Sequence, residues 1–178
     1  MQNLTDISEI RKIDPKDTLG STELAIKQAK TAWEEVKALP ISPITDIKSV
    51  IFCGMGASIY GALVLKALKA ESLPFPIEVI SDYHLPVYVD SHTLVVLTSY
   101  SGTTEEVLSC AQEAKEKGAH MMVLTKGGPL AQFATENNLP AYIFDGSLNP
   151  AGIPRLGNGY TIIGLLGVFK KLGLIELA

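Results

Sequence analysis

Ser49–Cys53 reads Ser-Val-Ile-Phe-Cys, and Thr93–Thr98 reads Thr-Leu-Val-Val-Leu-Thr. Neither run alternates apolar with polar residues, so each predicts a strand covered on both faces rather than one with a wet side. Ile77–Ile80, Ala119–Leu124 and Ala141–Phe144 are three further runs of strand length. Helix-forming stretches lie between most of them, at 57–70, at 104–117 ahead of Gly118, and after Pro129 to about Glu136; a closing stretch covers 159–172. Strand and helix in alternation predict right-handed crossovers and a parallel sheet with helices on both faces. Ahead of the sheet, Leu24, Ala25, Ala29, Ala32, Trp33 and Val36 recur at three- and four-residue steps. They predict a helix over 21–39, capped by Ser21 or Thr22 and stopped by Pro40.

The length of 178 residues fits one domain. Hydrophobic residues make up 47% of it, enough for a large core, and charged residues only 19%, below the usual ~25%. That balance excludes intrinsic disorder and leaves apolar surface for a partner. The net charge of −4 argues against a nucleic-acid binder, whose basic stripe would dominate. Met1-Gln2-Asn3-Leu4 opens no signal peptide, and the longest apolar stretch, around Ile162–Phe169, is far short of a membrane span. Cys53 and Cys110 stand far apart with no partner motif, so neither a disulfide framework nor a cysteine zinc site is expected, and the chain is placed in a reducing cytoplasm.

In parallel sheets of this kind, ligands bind beyond the carboxyl ends of the strands. The informative residues are therefore those that follow each run. Ser99-Tyr100-Ser101-Gly102-Thr103-Thr104-Glu105-Glu106 joins an apolar strand to a helix start. Helix N-termini offer unpaired N–H groups and a positive dipole end, hydroxyls add donors without charge, and glycine allows an unusual backbone. This suits a phosphate monoester. No Walker lysine is present, which argues against a nucleoside triphosphate with magnesium. Thr103 and Glu106 also stand at capping-box spacing.

Gly54-Met55-Gly56-Ala57-Ser58 is a second strand-to-helix turn. If the first and third strands are neighbours, Ser58 serves the same anion as Ser99 and Ser101. Ile59 stands where a dinucleotide fingerprint needs its last glycine, although Asp82 after the second strand keeps a nicotinamide binder open as an alternative. The loop 145–158 follows the last strand and brings Arg155 to the same edge, its backbone restricted by Pro154.

Taken in order, the glycine turn, Tyr83-His84-Leu85-Pro86, the hydroxyl turn, and Ile153-Pro154-Arg155 with Gly159-Tyr160 resemble the sugar isomerase (SIS) domain. More narrowly, they resemble the amino-terminal half of the bifunctional phosphoglucose/phosphomannose isomerases. The resemblance covers essentially the whole chain. It implies an α/β fold, a three-layer αβα sandwich on a five-stranded parallel sheet of flavodoxin or Rossmann-like type. It implies one SIS domain over 1–178, with a helical segment at 1–48 packed on it. It implies a hexose 6-phosphate ligand held by Ser99, Ser101 and Thr104, with Gly56, Ala57 and Ser58 opposite. Arg155 matches the family's active-site arginine. The reaction implied is aldose–ketose isomerisation of glucose 6-phosphate or mannose 6-phosphate to fructose 6-phosphate through a cis-enediolate, with no metal or organic cofactor.

Two departures stand out. Ala57 replaces the usual glycine, and the second SIS-like half is expected to be absent, with its glutamate base and ring-opening histidine. The chain alone is therefore expected to be inactive. A stand-alone sensor that binds a sugar phosphate without catalysis is the rival reading. The apolar helices at 57–70 and 159–172 point to a homodimer. His84 reads as a loop histidine, His92 and His120 as strand-start residues, Cys53 as a buried thiol, and Lys126 as an exposed loop lysine. The three scattered histidines make no metal constellation.

Overall fold

A computed structural model of the chain describes residues 5–69 and 73–177. Expectations for residues 1–4, 70 and 178 lie outside them. The apolar runs form the strands β1 (Ser49–Cys53), β2 (Ile77–Ile80), β3 (Thr93–Ser99), β4 (His120–Thr125) and β5 (Ala141–Ile143). All four pairings are parallel, in the order β2-β1-β3-β4-β5. Every residue of β3 is buried, as a central strand covered on both faces requires.

The two faces separate by the two-residue period of the strands. Val50, Phe52, Leu94, Val96, Met122 and Leu124 point to one layer. There they meet α3 (Ala25–Ala38), α4 (Tyr60–Lys69) and α7 (Gly164–Lys171). Ile51, Cys53, Val95, Leu97 and Val123 point to the other, against α5 (Glu105–Glu116), α6 (Gly128–Glu136) and the loop residues Leu85 and Val89. An aromatic group closes the first layer near β5. Phe144 stacks on Tyr160 with ring centroids 4.8 Å apart and lies 5.3 Å from Tyr100. The Tyr142 hydroxyl donates to Glu35 at 2.6 Å, which ties α3 to β5.

Three expectations about helices need correction. The helix expected over 21–39 is two. A short α2 (Thr18–Glu23) is capped by Asp17 rather than by Ser21 or Thr22, and Leu24 separates it from α3. A further helix, α1 (Ile7–Ile13), precedes them, capped by Asp6. Helix 57–70 begins as a 3-10 turn, Gly56–Ile59, before α4. Residues 159–172 begin as a π turn, Gly159–Ile163, that runs into α7. The apolar surface of α7 is wholly used by the core, since Gly164 to Phe169 are all buried. Its composition therefore carries no argument for a partner, whereas Leu63 and Leu68 on α4 remain exposed.

Candidate functional site

Parallel pairing of β1 with β3 brings the turns that follow them side by side, at the point where the strand order reverses. Two side chains stitch these turns together. The Thr98 hydroxyl is within donating distance of Cys53 O (3.2 Å) and Ser58 O (3.1 Å). The Tyr100 N–H donates to the Ser58 hydroxyl at 3.2 Å. Ser58 therefore faces the hydroxyl turn, as the neighbouring strands lead one to expect.

Within the hydroxyl turn, Ser99 is buried. Its oxygen accepts from Gly102 N–H at 3.0 Å and shares a 2.7 Å hydrogen bond with Thr104. Ser101 is exposed and pairs with Thr103 at 2.9 Å. The expected capping box between Thr103 and Glu106 does not form. Thr104 is the N-cap residue, and it makes no side-chain cap because its hydroxyl faces Ser99. The α5 N-terminus thus keeps N–H groups without a side-chain acceptor, the arrangement an anion completes. Gly102 has φ +75°, and a Cβ there would lie 1.7 Å from the Gly127 carbonyl oxygen.

Arg155 lies on a 3-10 turn, Pro154–Leu156, in contact with the glycine turn Gly56–Ile59. Its side chain is exposed, as is Gly56, while Ala57 and Ser58 are half-buried. Gly56 has φ +57°. The structure therefore brings the residues expected to serve one ligand, from three separate segments, to one rim of the sheet.

A family model described as SIS domain matches residues 43–139, more than half of the chain. The chain belongs to the SIS domain family. Over 152 residues this SIS domain is 42% identical to the bifunctional phosphoglucose/phosphomannose isomerase of Caldicellulosiruptor bescii, which covers 84% of the chain and 43% of the relative. Over 143 residues it is 37% identical to the enzyme of the same name from Aquifex aeolicus, covering 78% and 42%. The chain thus spans less than half the length of these curated relatives. Among solved structures, the Vibrio vulnificus NanR protein complexed with ManNAc-6P superposes with a TM-score of 0.56 at 19% identity, covering 96% of the chain and 63% of that protein, a likeness of fold. The matched segment excludes both the N-terminal helices and the Arg155 turn.

The rim carboxylates of this SIS domain are engaged locally. Asp82 accepts from Tyr83 N–H at 2.6 Å, so its geometry is that of a turn. Glu105 accepts from the Tyr83 hydroxyl at 3.2 Å. Asp145 accepts from Ser147 N–H at 2.9 Å, which holds its carboxyl below the usual range. Lys126 is exposed, its stem lying against Gly146. Cys53 and Cys110 are free and buried, and the Cys110 thiol donates to the Asp82 carbonyl oxygen at 3.3 Å. The neighbouring Cys110 thiol and burial push the Cys53 thiol up, which keeps it a protonated core group rather than a nucleophile. Among the described residues no cluster of three or more His, Cys, Asp or Glu side chains could hold a metal ion, and no helix is long and apolar enough to cross a membrane.

His84 was read as a loop residue, and it is one, but with a partner. Its Nδ1 lies 2.6 Å from Glu113 Oε1, and Glu113 Oε2 accepts from Leu85 N–H at 2.8 Å. This contact pins the loop after β2 to α5. Sequence reasoning missed Tyr100 and Asn149 as organising residues. Tyr100 is buried, burial raises its phenol above the ordinary value, and Asn149 Nδ2 donates to its hydroxyl at 2.8 Å. Gln28 was missed too, although a polar residue amid the apolar face of α3 is a visible signal.

Two predictions follow from this geometry. Gly102→Ala forces both a left-handed backbone and a collision with backbone, so we expect a loss of about 2 kcal/mol or more in urea unfolding, together with loss of phosphate binding by calorimetry. The second concerns the Glu113 contact, which raises the pKa of His84 and lowers that of Glu113. The His84 contribution is complete below the ordinary histidine value of 6.5 and disappears as pH rises through the raised value. The Glu113 contribution is complete above 4.5 and disappears as pH falls through the depressed value. The loop is held best between the ordinary values of 4.5 and 6.5, where both contributions are complete. NMR titration of His84 is expected to show a midpoint above that of free histidine, falling back in Glu113→Gln.

Proposed function

We propose that the chain is the sugar-phosphate-binding part of an aldose–ketose isomerase that interconverts glucose 6-phosphate or mannose 6-phosphate with fructose 6-phosphate. The observation that carries this reading is the convergence of the uncapped α5 N-terminus, the Ser58 turn and the Arg155 turn on one rim. The phosphate sits at the helix N-terminus, taken by Ser101 and Thr104 with Gly56, Ala57 and Ser58 opposite. Ser99 acts on it through its hydrogen bond with the Thr104 hydroxyl. With the phosphate anchored there, the sugar carbons extend toward Arg155. Its guanidinium is always charged and presents a planar fork of donors, which suits the oxyanion that develops as the enediolate forms.

Proton transfer between C1 and C2 needs a carboxylate general base. Asp82, Glu105 and Asp145 are each held by local hydrogen bonds, so this reading places the base outside these residues. The chain by itself then binds substrate without turning it over. The names of the relatives, together with their greater length, support this division of labour. In this reading residues 1–178 make one SIS domain, which acts in the cytoplasm as a homodimer. Support for the dimer rests on α4, where Tyr60, Leu63 and Leu68 expose 37%, 47% and 62% of their surface.

Ligand-detected NMR with fructose 6-phosphate against fructose tests the phosphate assignment. We expect binding of the phosphorylated sugar alone. Thr104→Val removes one hydrogen bond to a charged group, worth about 1.5–3 kcal/mol, and should weaken binding on the order of tenfold or more. Equal binding of both sugars would remove the phosphate from the site. Sedimentation at micromolar concentration is expected to show a dimer that Leu63→Lys converts to a monomer.

A further inference from the structure

Glycines at 146, 152 and 157 give the Arg155 loop many accessible conformations outside the stretch that Pro154 restricts. An arginine that stabilises a short-lived oxyanion must nonetheless be held within a fraction of an ångström of one position, since a displacement near 1 Å can cost about a hundredfold. What holds it comes from the other end of the chain. Gln28 on α3 is completely buried. Its Nε2 donates to the carbonyl oxygen of Leu148 at 2.8 Å and to that of Leu156 at 2.9 Å, partners 120 and 128 residues away. These two carbonyls bracket the segment that bears Arg155, so a single amide clamps both of its ends. Glycine at 159 lets the chain pass directly against Gln28, where a Cβ would come within 2.4 Å of Gln28 Cβ.

Inside the bracket, the loop is tied at two more points. Asn149 Nδ2 donates to Ile153 O at 2.9 Å as well as to the Tyr100 hydroxyl. The N–H of Ala151 donates to the hydroxyl of Ser21, a fully buried residue of α2, at 2.9 Å. Tyr100 belongs to the hydroxyl turn. The network therefore runs from the N-terminal helices through the arginine loop to the hydroxyl turn. Burying an amide and a hydroxyl is costly unless they are hydrogen-bonded, and here the Gln28 N–H groups and the Ser21 oxygen are met by the arginine loop.

We infer that Gln28, with Asn149 and Ser21 in support, is a positioning residue for Arg155 and so sets the distance from the phosphate seat to the reacting carbons. This rests on the reading of Arg155 and the hydroxyl turn proposed above. The test uses calorimetry on the 178-residue chain with two probes: inorganic phosphate, and 5-phosphoarabinonate, a five-carbon aldonic acid phosphate whose carboxylate mimics the planar anionic enediolate. Gln28→Met keeps the volume and removes both donors. It should weaken 5-phosphoarabinonate about tenfold while leaving inorganic phosphate within about twofold. In an Arg155→Ala background the same substitution should have no further effect, because the two act as one unit. Ser21→Ala removes a single tie and should lower the same ratio about threefold, which keeps the test available if Gln28→Met does not fold. Equal weakening of both probes, additive losses in the double variant, or an unchanged ratio in Ser21→Ala would overturn the inference. If Arg155→Ala itself leaves 5-phosphoarabinonate binding unchanged, the reading of Arg155 fails, and this inference with it.

Discussion

The Thr98 hydroxyl, placed between the carbonyls of Cys53 and Ser58, is the contact on which the site depends. It lies at the last buried turn of β3 and reaches across to the end of β1. Parallel strands alone would bring these ends within one strand spacing, about 4.8 Å. They would not fix how the two turns face each other. The Thr98 contacts, together with the Tyr100 N–H on the Ser58 hydroxyl, lock that relation. Gly54 accommodates this closeness, since a Cβ there would lie 2.5 Å from the Thr98 oxygen.

Rigidity and availability are divided between the two layers of hydroxyls. Ser99 is buried and shapes the turn; Ser101 is exposed and free to meet solvent or ligand. This division explains how a polar turn can be both well ordered and receptive. A turn whose every hydroxyl capped its own backbone would leave little for an anion. Here the helix N-terminus is left uncapped because Thr104 is drawn to Ser99 instead. On the other side of the rim, Tyr100 carries the order outward, packing on Phe144 and receiving Asn149, so the aromatic cluster of the core continues into the loop that bears Arg155.

Much of the fold was legible in the chain. Runs without a polar face marked the strands, and the structure sends Val50 and Phe52 to one layer and Ile51 and Cys53 to the other. Glycine and hydroxyl residues after β1 and β3 marked the rim. Misreadings came where a local signal had two outcomes. Ser21 has the chemistry of a helix cap, yet it is buried and accepts from Ala151, while Asp17 caps the helix. Thr103 and Glu106 have capping-box spacing, yet Thr104 occupies the cap position. The composition of α7 suggested spare apolar surface, but α3 and the sheet cover it, whereas Leu63 and Leu68 of α4 are exposed.

The amino-acid sequence by itself determined the parallel sheet, its two layers and the chemical character of its rim, because burial periodicity and turn chemistry are written within a few residues of one another. Only the tertiary structure decided which polar groups are ligand-facing and which hold others in place. Gln28 meets its acceptors more than a hundred residues away, and no local pattern records a partner at that distance. Nor does any local pattern say that Ser99 turns inward while Ser101 turns out. Those choices follow from the cost of leaving a buried donor or acceptor unpaired, a cost that exists only once distant segments have packed together.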